Sequence, residues 1–252
     1  MALSHNVEVR TLQVVTHLMS IAGIVWLFQT GEWAYLWVTL GFYWTIGVLG
    51  INIGFHRLIS HRSFKTWKWL EYFLGLVGTI TSVGSPLAWV ALHRQHHRHT
   101  ETEKDPHSPY QIGWWRAWFG FWNVQRIDPR TIKDLRKKEF YKFTHKHYIL
   151  INVLWCGALM LIDPMWAIFA YAMPAVLVLH STSSIIVIAH MHGYKTYKLD
   201  GDESRNSWIA SAITLGEGWH NNHHARPGDW NNQHKWWELD LAAWIIRLIR
   251  VK

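Results

Sequence analysis

The chain has almost no cysteine: Cys156 stands alone among 252 residues. One thiol closes no internal disulfide and supplies no set of cysteines for an iron-sulfur cluster. Cys156 lies in an apolar stretch, where a thiol is most simply inert and buried. Internal repeats, low-complexity tracts and polar linkers are also missing, so residues 1–252 read as one domain. Met1 to Arg10 lacks a basic cluster, and the apolar run after it has no small-residue cleavage site, so the first helix is expected to be retained. The net charge is +8. No zinc-finger, helix-turn-helix or RNA-binding pattern accompanies it, which excludes nucleic acid as the partner.

Charge is itself missing from two long stretches. Of the 25 Lys and Arg residues, 16 lie between His56 and His147, and the other 9 lie before Thr11 or after Tyr194. Glu32 is the only formal charge from Thr11 to Phe55, and Asp163 the only one from Tyr148 to Tyr194. A bilayer crossing needs about 20 apolar residues, so each stretch can cross twice. Thr30-Gly31-Glu32-Trp33 and Asp163-Pro164 place a turn near the middle of each. The expected fold is therefore an all-α integral membrane protein of four transmembrane helices in two hairpins, spanning roughly 11–29, 34–55, 148–162 and 165–188. The basic segments all fall on one side, which the positive-inside bias makes cytoplasmic, together with both termini and a helical cap. Tryptophan, with 19 copies, is enriched where headgroups meet hydrocarbon. The end of the chain, residues 236–252, mixes apolar and basic residues as an interfacial helix would.

What the chain has in abundance is histidine, in three short clusters just outside the apolar stretches. They are His56-Arg57-Leu58-Ile59-Ser60-His61, His93-Arg94-Gln95-His96-His97 and His220-Asn221-Asn222-His223-His224. Residues three and four apart share a helix face, so His93, His96 and His97 can present three imidazoles together, as can His220, His223 and His224. His56 and His61 differ: on an ideal helix they stand about 140° apart, so the span must end or bulge between them. Neutral imidazole suits iron, copper, zinc or nickel, and eight rings exceed what one ion takes, so two ions are the economical reading. For a shared site all three clusters must lie on one side of the membrane. The fairly apolar residues 64–92, broken by Gly75, Gly78, Gly84, Ser85 and Pro86, are therefore expected to return to the side they left, as an interfacial or re-entrant segment. Acidic residues near the last two clusters, above all Glu217 and also Asp105, are candidates to orient the rings.

At these motifs the sequence resembles the membrane-bound fatty-acyl desaturases, most closely the delta-9 branch of stearoyl-CoA and cyanobacterial-type acyl-lipid desaturases. The resemblance rests on residues 54–64 around the first cluster, on the second cluster with Asp105-Pro106-His107, and on Gly216-Glu217-Gly218-Trp219 leading into the third. It covers about residues 11–235. It implies two non-haem iron ions held almost wholly by histidine, dioxygen as co-substrate, and removal of two hydrogens from a saturated acyl chain carried on a glycerolipid or coenzyme A. It also implies a ninth ligand after the last span, for which His190 in His190-Met191-His192-Gly193-Tyr194 is the match and His192 a weaker competitor. The family usually has asparagine four residues before that histidine. Here the position is Ile186, which neither coordinates nor hydrogen-bonds.

No fused redox domain fits in the remaining length, so the resemblance implies a separate electron donor of the ferredoxin or cytochrome b5 kind. The basic run with Lys133, Arg136, Lys137 and Lys138 is the expected docking surface. A di-iron lipid hydroxylase or monooxygenase would share the metal chemistry. A membrane metal-binding protein or transporter would instead place its ligands within the spans, and a zinc peptidase would need the His-Glu-x-x-His motif that this chain lacks.

Overall fold

A computed structural model describes residues 2–122, 124 and 127–251, with side chains from His5 onward. No strand occurs among the described residues; three isolated bridges pair Lys65 with Val251, and Asn206 with both Tyr194 and Trp219. Helix α1 (Ala2–Thr30) ends at Gly31, whose positive φ of 76° lets its N–H reach back 2.8 Å to the Leu27 carbonyl. Helix α2 runs from Tyr35 to Ser60. Later come α8 (Tyr148–Met160) and α9 (Ala167–Met191), joined by a turn in which the Asp163 carboxylate accepts from the Met165 N–H at 2.8 Å. Three helical segments are long and apolar enough to cross a membrane: His5–Thr30, Tyr35–Ser60 and Ala167–Met191. Helix α8 is apolar but has 13 residues, about 20 Å of helix against a hydrocarbon core of about 30 Å. The two acid-marked turns meet, because the Tyr35 hydroxyl donates to Asp163 Oδ2 at 2.6 Å.

The second half of α2, Ile46–Ser60, is wound as a π-helix, with backbone hydrogen bonds five residues apart. The His61 N–H continues that pattern to the His56 carbonyl at 3.1 Å. The winding puts side chains five apart on one face, so the His56 and His61 ring centroids stand 5.0 Å apart. This is how the chain overcomes the 140° separation that an ideal helix would impose.

Helix α3 (Lys68–Thr79) doubles back along α2. The approach is so close that a Cβ on Gly50 would lie 2.8 Å from the Gly78 Cα, and one on Gly54 would lie 2.9 Å from the Leu74 carbonyl oxygen. Small residues four apart on α2 make that contact possible. The chain then reverses at residues 80–85, where Ser82 and Gly84 take positive φ, and α4 (Pro86–His99) starts with Ser85 capping the Ala88 N–H and Pro86 in the first turn. The reversal returns the second histidine cluster to the first, as the reading of residues 64–92 required.

Short helices α5 (Pro109–Ile112) and α6 (Trp114–Trp118) and two 3₁₀ turns follow, and α7 (Glu139–Lys146) leads into α8. After α9 come α10 (Trp208–Thr214), α11 (His220–Ala225) and α12 (Leu241–Ile249). Helix α12, within the stretch expected to be an interfacial helix, buries Ala242, Ala243 and Ile246 and exposes Trp244 and Leu248.

Candidate metal centre

Four helices deliver imidazoles to one place. The end of α2 brings His56 and His61, the last turns of α4 bring His93, His96 and His97, the end of α9 brings His190, and α11 brings His220, His223 and His224. They sort into two groups, His56, His61, His93, His97 and His223 in one and His96, His190, His220 and His224 in the other, with the ligating atoms of each group within 4.8 Å of one another. All nine histidines named from the sequence fall in these groups. His192 is exposed and belongs to neither.

The rings meet through their Nε2 atoms. In the group of five the separations are 3.0 Å for His56 to His223, 3.0 Å for His223 to His97 and 2.6 Å for His61 to His93. In the group of four they are 3.3 Å for His96 to His224, 3.0 Å for His224 to His220 and 3.1 Å for His220 to His190. Two nitrogens bound at right angles, each about 2.1 Å from one ion, stand about 3.0 Å apart.

Carboxylates behind the rings fix which nitrogen carries the lone pair. The Nδ1 atoms of His96, His190 and His224 bond to Asp105, Glu101 and Asp202 at 2.8, 2.7 and 2.6 Å, so in the neutral rings Nε2 is the bare nitrogen. His96 and His224 then face each other with two lone pairs, an arrangement that needs positive charge between them. A proton satisfies one such contact. Four converging nitrogens call for a metal ion, and the same holds for the five. Burial reinforces this by pushing the pKa values of His61, His93, His97, His220 and His223 well below the ordinary imidazole value, and that of His224 down to about 4. The donor set fits two metal ions.

The group of five is backed by a buried charge network. Glu217 Oε2 lies 2.6 Å from His56 Nδ1, and Oε1 accepts from the Arg57 guanidinium, whose Nη1 reaches Asp240 at 2.8 Å. Burial alone would raise the Glu217 carboxyl, but Arg57 and His56 bring it down to about 2. Burial also opposes ionisation of Asp105, and the neighbouring His96 outweighs it, holding this carboxyl well below the usual range. Glu217 and Asp105, both named from the sequence, lie against His56 and His96. Glu101, Asp202, Arg57 and Asp240 were not singled out from the sequence. Asp202 lies 22 residues from its partner His224 and Asp240 lies 183 from its partner Arg57, and nothing local marks them. His107 forms a further buried group with His96 and Asp105.

Cavities lead to the two groups. One of about 320 Å³ lies along α4, reaching Arg10 and Gln13 of α1 and Arg136. It shares Trp89, Leu92 and Trp122 with a space of about 50 Å³ lined by histidines of both groups and by Thr182 and Ile186. That space in turn shares Asn52 with a pocket of about 10 Å³ beside Trp44. Ile186 therefore lines the space beside the histidines with an apolar side chain and adds no donor to the set. Of the basic run expected to dock a donor, Lys133, Arg136, Lys137 and Lys138 are all exposed; Arg136 also lines the cavity of about 320 Å³, and Lys138 bonds to Glu71 at 2.8 Å.

Long apolar helices whose ends gather two groups of imidazoles define a helical, membrane-type protein with a candidate two-metal centre. The sequence pattern of the fatty acid desaturase family matches residues 31–250, and the chain belongs to that family. It is an oxidoreductase of the fatty acid desaturase class. It is 40% identical over 225 residues to an sn-1 stearoyl-lipid 9-desaturase of Anabaena variabilis, covering 87% of this chain and 82% of that protein. It is 37% identical over 231 residues to an sn-2 palmitoyl-lipid 9-desaturase of Nostoc sp. (strain 36), covering 86% and 80%. It is also 37% identical over 226 residues to Delta-9 acyl-lipid desaturase 2 of Arabidopsis thaliana, covering 87% and 73%.

Proposed function

We propose that this desaturase introduces a cis double bond at the delta-9 position of a saturated acyl chain carried on a glycerolipid, with acyl-CoA as the alternative carrier. The observation that carries the reading is the pair of neighbouring cavities, with Trp89, Leu92 and Trp122 in both walls, one of which is lined by histidines of both imidazole groups. The names of the relatives support both the position and the lipid carrier. The nine histidines would hold two non-haem iron ions, five rings on one and four on the other. When bound there, iron supplies the chemistry that side chains lack, activation of dioxygen for removal of hydrogen from an unactivated methylene.

The chain's own residues do the rest. Trp89, Leu92 and Trp122 hold the acyl chain where the cavities join and exclude water from the reacting carbons. Asp105, Glu101 and Asp202 keep the Nδ1 protons of His96, His190 and His224 on the outer side of the rings, so that each Nε2 stays free to bind metal. Arg57 neutralises Glu217 and keeps its carboxylate aimed at His56. The separation between the substrate's carboxyl end and the histidines selects the carbon pair that reacts.

Four crossings in two hairpins, α1 with α2 and α8 with α9, place the termini and the histidine-bearing cap on the cytoplasmic side. The one-sided distribution of Lys and Arg supports this, as does the contact between Tyr35 and Asp163, by which the two turns meet. Helix α8 reaches towards a full crossing through the exposed apolar Leu161 and Ile162. Electrons come from a separate carrier protein.

Fatty-acid analysis of cells expressing the wild type beside His96→Ala tests the reading. The expected result is a new delta-9 unsaturated product from the wild type alone. A hydroxylated product, or unsaturation elsewhere, would overturn it.

A further inference from the structure

Desaturation consumes two electrons, and the surface next to the histidines has a distinct charge pattern. Arg62 follows His61 and is 61% exposed; Arg98 follows His97 and is exposed. Both His61 and His97 are themselves partly exposed. Asp134 draws the neighbouring segment onto this edge, accepting from Arg94 at 2.8 Å and pairing with Arg62. That attachment brings exposed Lys133 and Arg130, the latter 85% exposed, to the same side. Basic residues distant in sequence thus assemble a single face beside the group of five.

Given the desaturase reading, on which this inference rests, we propose that Arg62, Arg98, Arg130 and Lys133 form the docking face for a small acidic one-electron carrier protein, which delivers electrons at the His61 and His97 edge. Each turnover takes two encounters, and each encounter oxidises one carrier by one electron. Two electrons, two protons and dioxygen then convert one CH2–CH2 unit to CH=CH with release of two waters. The face suits a soluble protein better than a lipid surface. Among the described residues, 55–66, 88–108 and 122–142 expose no large hydrophobic side chain, whereas Trp67, Trp114, Trp236 and Trp244 are exposed elsewhere. Opposite charge speeds encounter and orients the partner, an effect that salt screens over about 10 Å at 0.1 M.

The test uses the full chain in nanodiscs of neutral lipid, with a plant-type [2Fe–2S] ferredoxin and a soluble cytochrome b5 domain as acidic probes. Binding is measured at low salt and at high salt. Wild type should bind at least one probe more weakly as salt rises. Arg62→Glu with Arg130→Glu and Lys133→Glu should weaken low-salt binding by about tenfold or more. Carrier-driven turnover should fall in parallel while reduction by dithionite stays at the wild-type rate. Lys198→Glu, outside the four residues of this face, should leave binding unchanged. Because Arg62 pairs with Asp134 and Arg130 with Asp128, Arg98→Glu with Lys133→Glu provides a second variant that breaks no observed ion pair. Wild-type affinity in both variants, no salt-dependent binding of either probe to the wild type, or a change confined to binding of anionic vesicles would each overturn the docking face. Absence of unsaturated product after chemical reduction would instead sink the desaturase reading, and the binding result would stand apart from it.

Discussion

Arg57 and Glu217 form a buried ion pair in which the guanidinium Nε and Nη2 both bond to carboxylate Oε1, at 2.9 and 2.6 Å. Neither side chain is more than 2% exposed. Removing one partner leaves the other charged and dry, which costs about 3–5 kcal/mol. Arg57→Ala should therefore lower the unfolding midpoint in detergent sharply. Arg57→Lys should recover little, because one ammonium cannot bridge Glu217 and Asp240 along the directions a guanidinium offers. A lysine variant as stable as the wild type would show that charge alone is enough.

A second prediction concerns the glycine seam between α2 and α3. A Cβ on Gly78 would come within 2.3 Å of the Phe55 ring, and Phe55 precedes His56. Gly78→Ala should displace that ring and cost about 1–3 kcal/mol through overpacking. Iron content per chain should fall along with thermal stability. Gly157→Ala meets nothing within 4 Å and should leave both unchanged.

The charge map and the clusters made much of this legible in advance. The expected apolar stretches correspond to helices, and His93, His96 and His97 share a face because an α-helix requires it. His56 and His61 were harder. Their convergence depends on π-winding, which occurs where Gly50 and Gly54 pack against α3. Asp202 and Asp240 could not be found at all, since an acidic residue in a loop looks the same whether it meets water or a histidine from another segment. The basic run was visible as sequence, but only the fold shows that Asp134 ties Arg62 and Arg94, distant in sequence, to the segment carrying Lys133.

Acid should act through Asp134. Burial would raise its carboxyl pKa, but the hydrogen bonds and charges of Arg94 and Arg62 prevail and hold it below the usual value. A folded-state pKa below the unfolded one contributes stability that is fully present above the unfolded pKa and is lost as pH falls through the folded one. Asp134→Asn should be less stable than the wild type at neutral pH, and the two should converge as the pH drops below the ordinary aspartate range. Unfolding midpoints measured across that interval check the sign. A gap that widens in acid would contradict it.

Asp105 offers the sharpest separation of the two imidazole groups. Its carboxylate holds His96 Nδ1 at 2.8 Å and also accepts the backbone N–H groups of Glu101 and His107, at 3.0 and 3.1 Å. Alanine would release that turn, and with it Glu101, the partner of His190, so a loss of metal in Asp105→Ala would have two causes. Asp105→Asn keeps an oxygen and the shape while removing the charge. Loss of a carboxylate behind a ligating histidine typically weakens metal binding about 10- to 100-fold. Chelator challenge of the iron-loaded Asn variant should therefore strip the group of four first, leaving close to half the wild-type iron per chain. Glu217→Gln should give the complementary pattern by weakening the group of five. Iron lost from both groups in step, in either variant, would mean that the two sites do not bind independently.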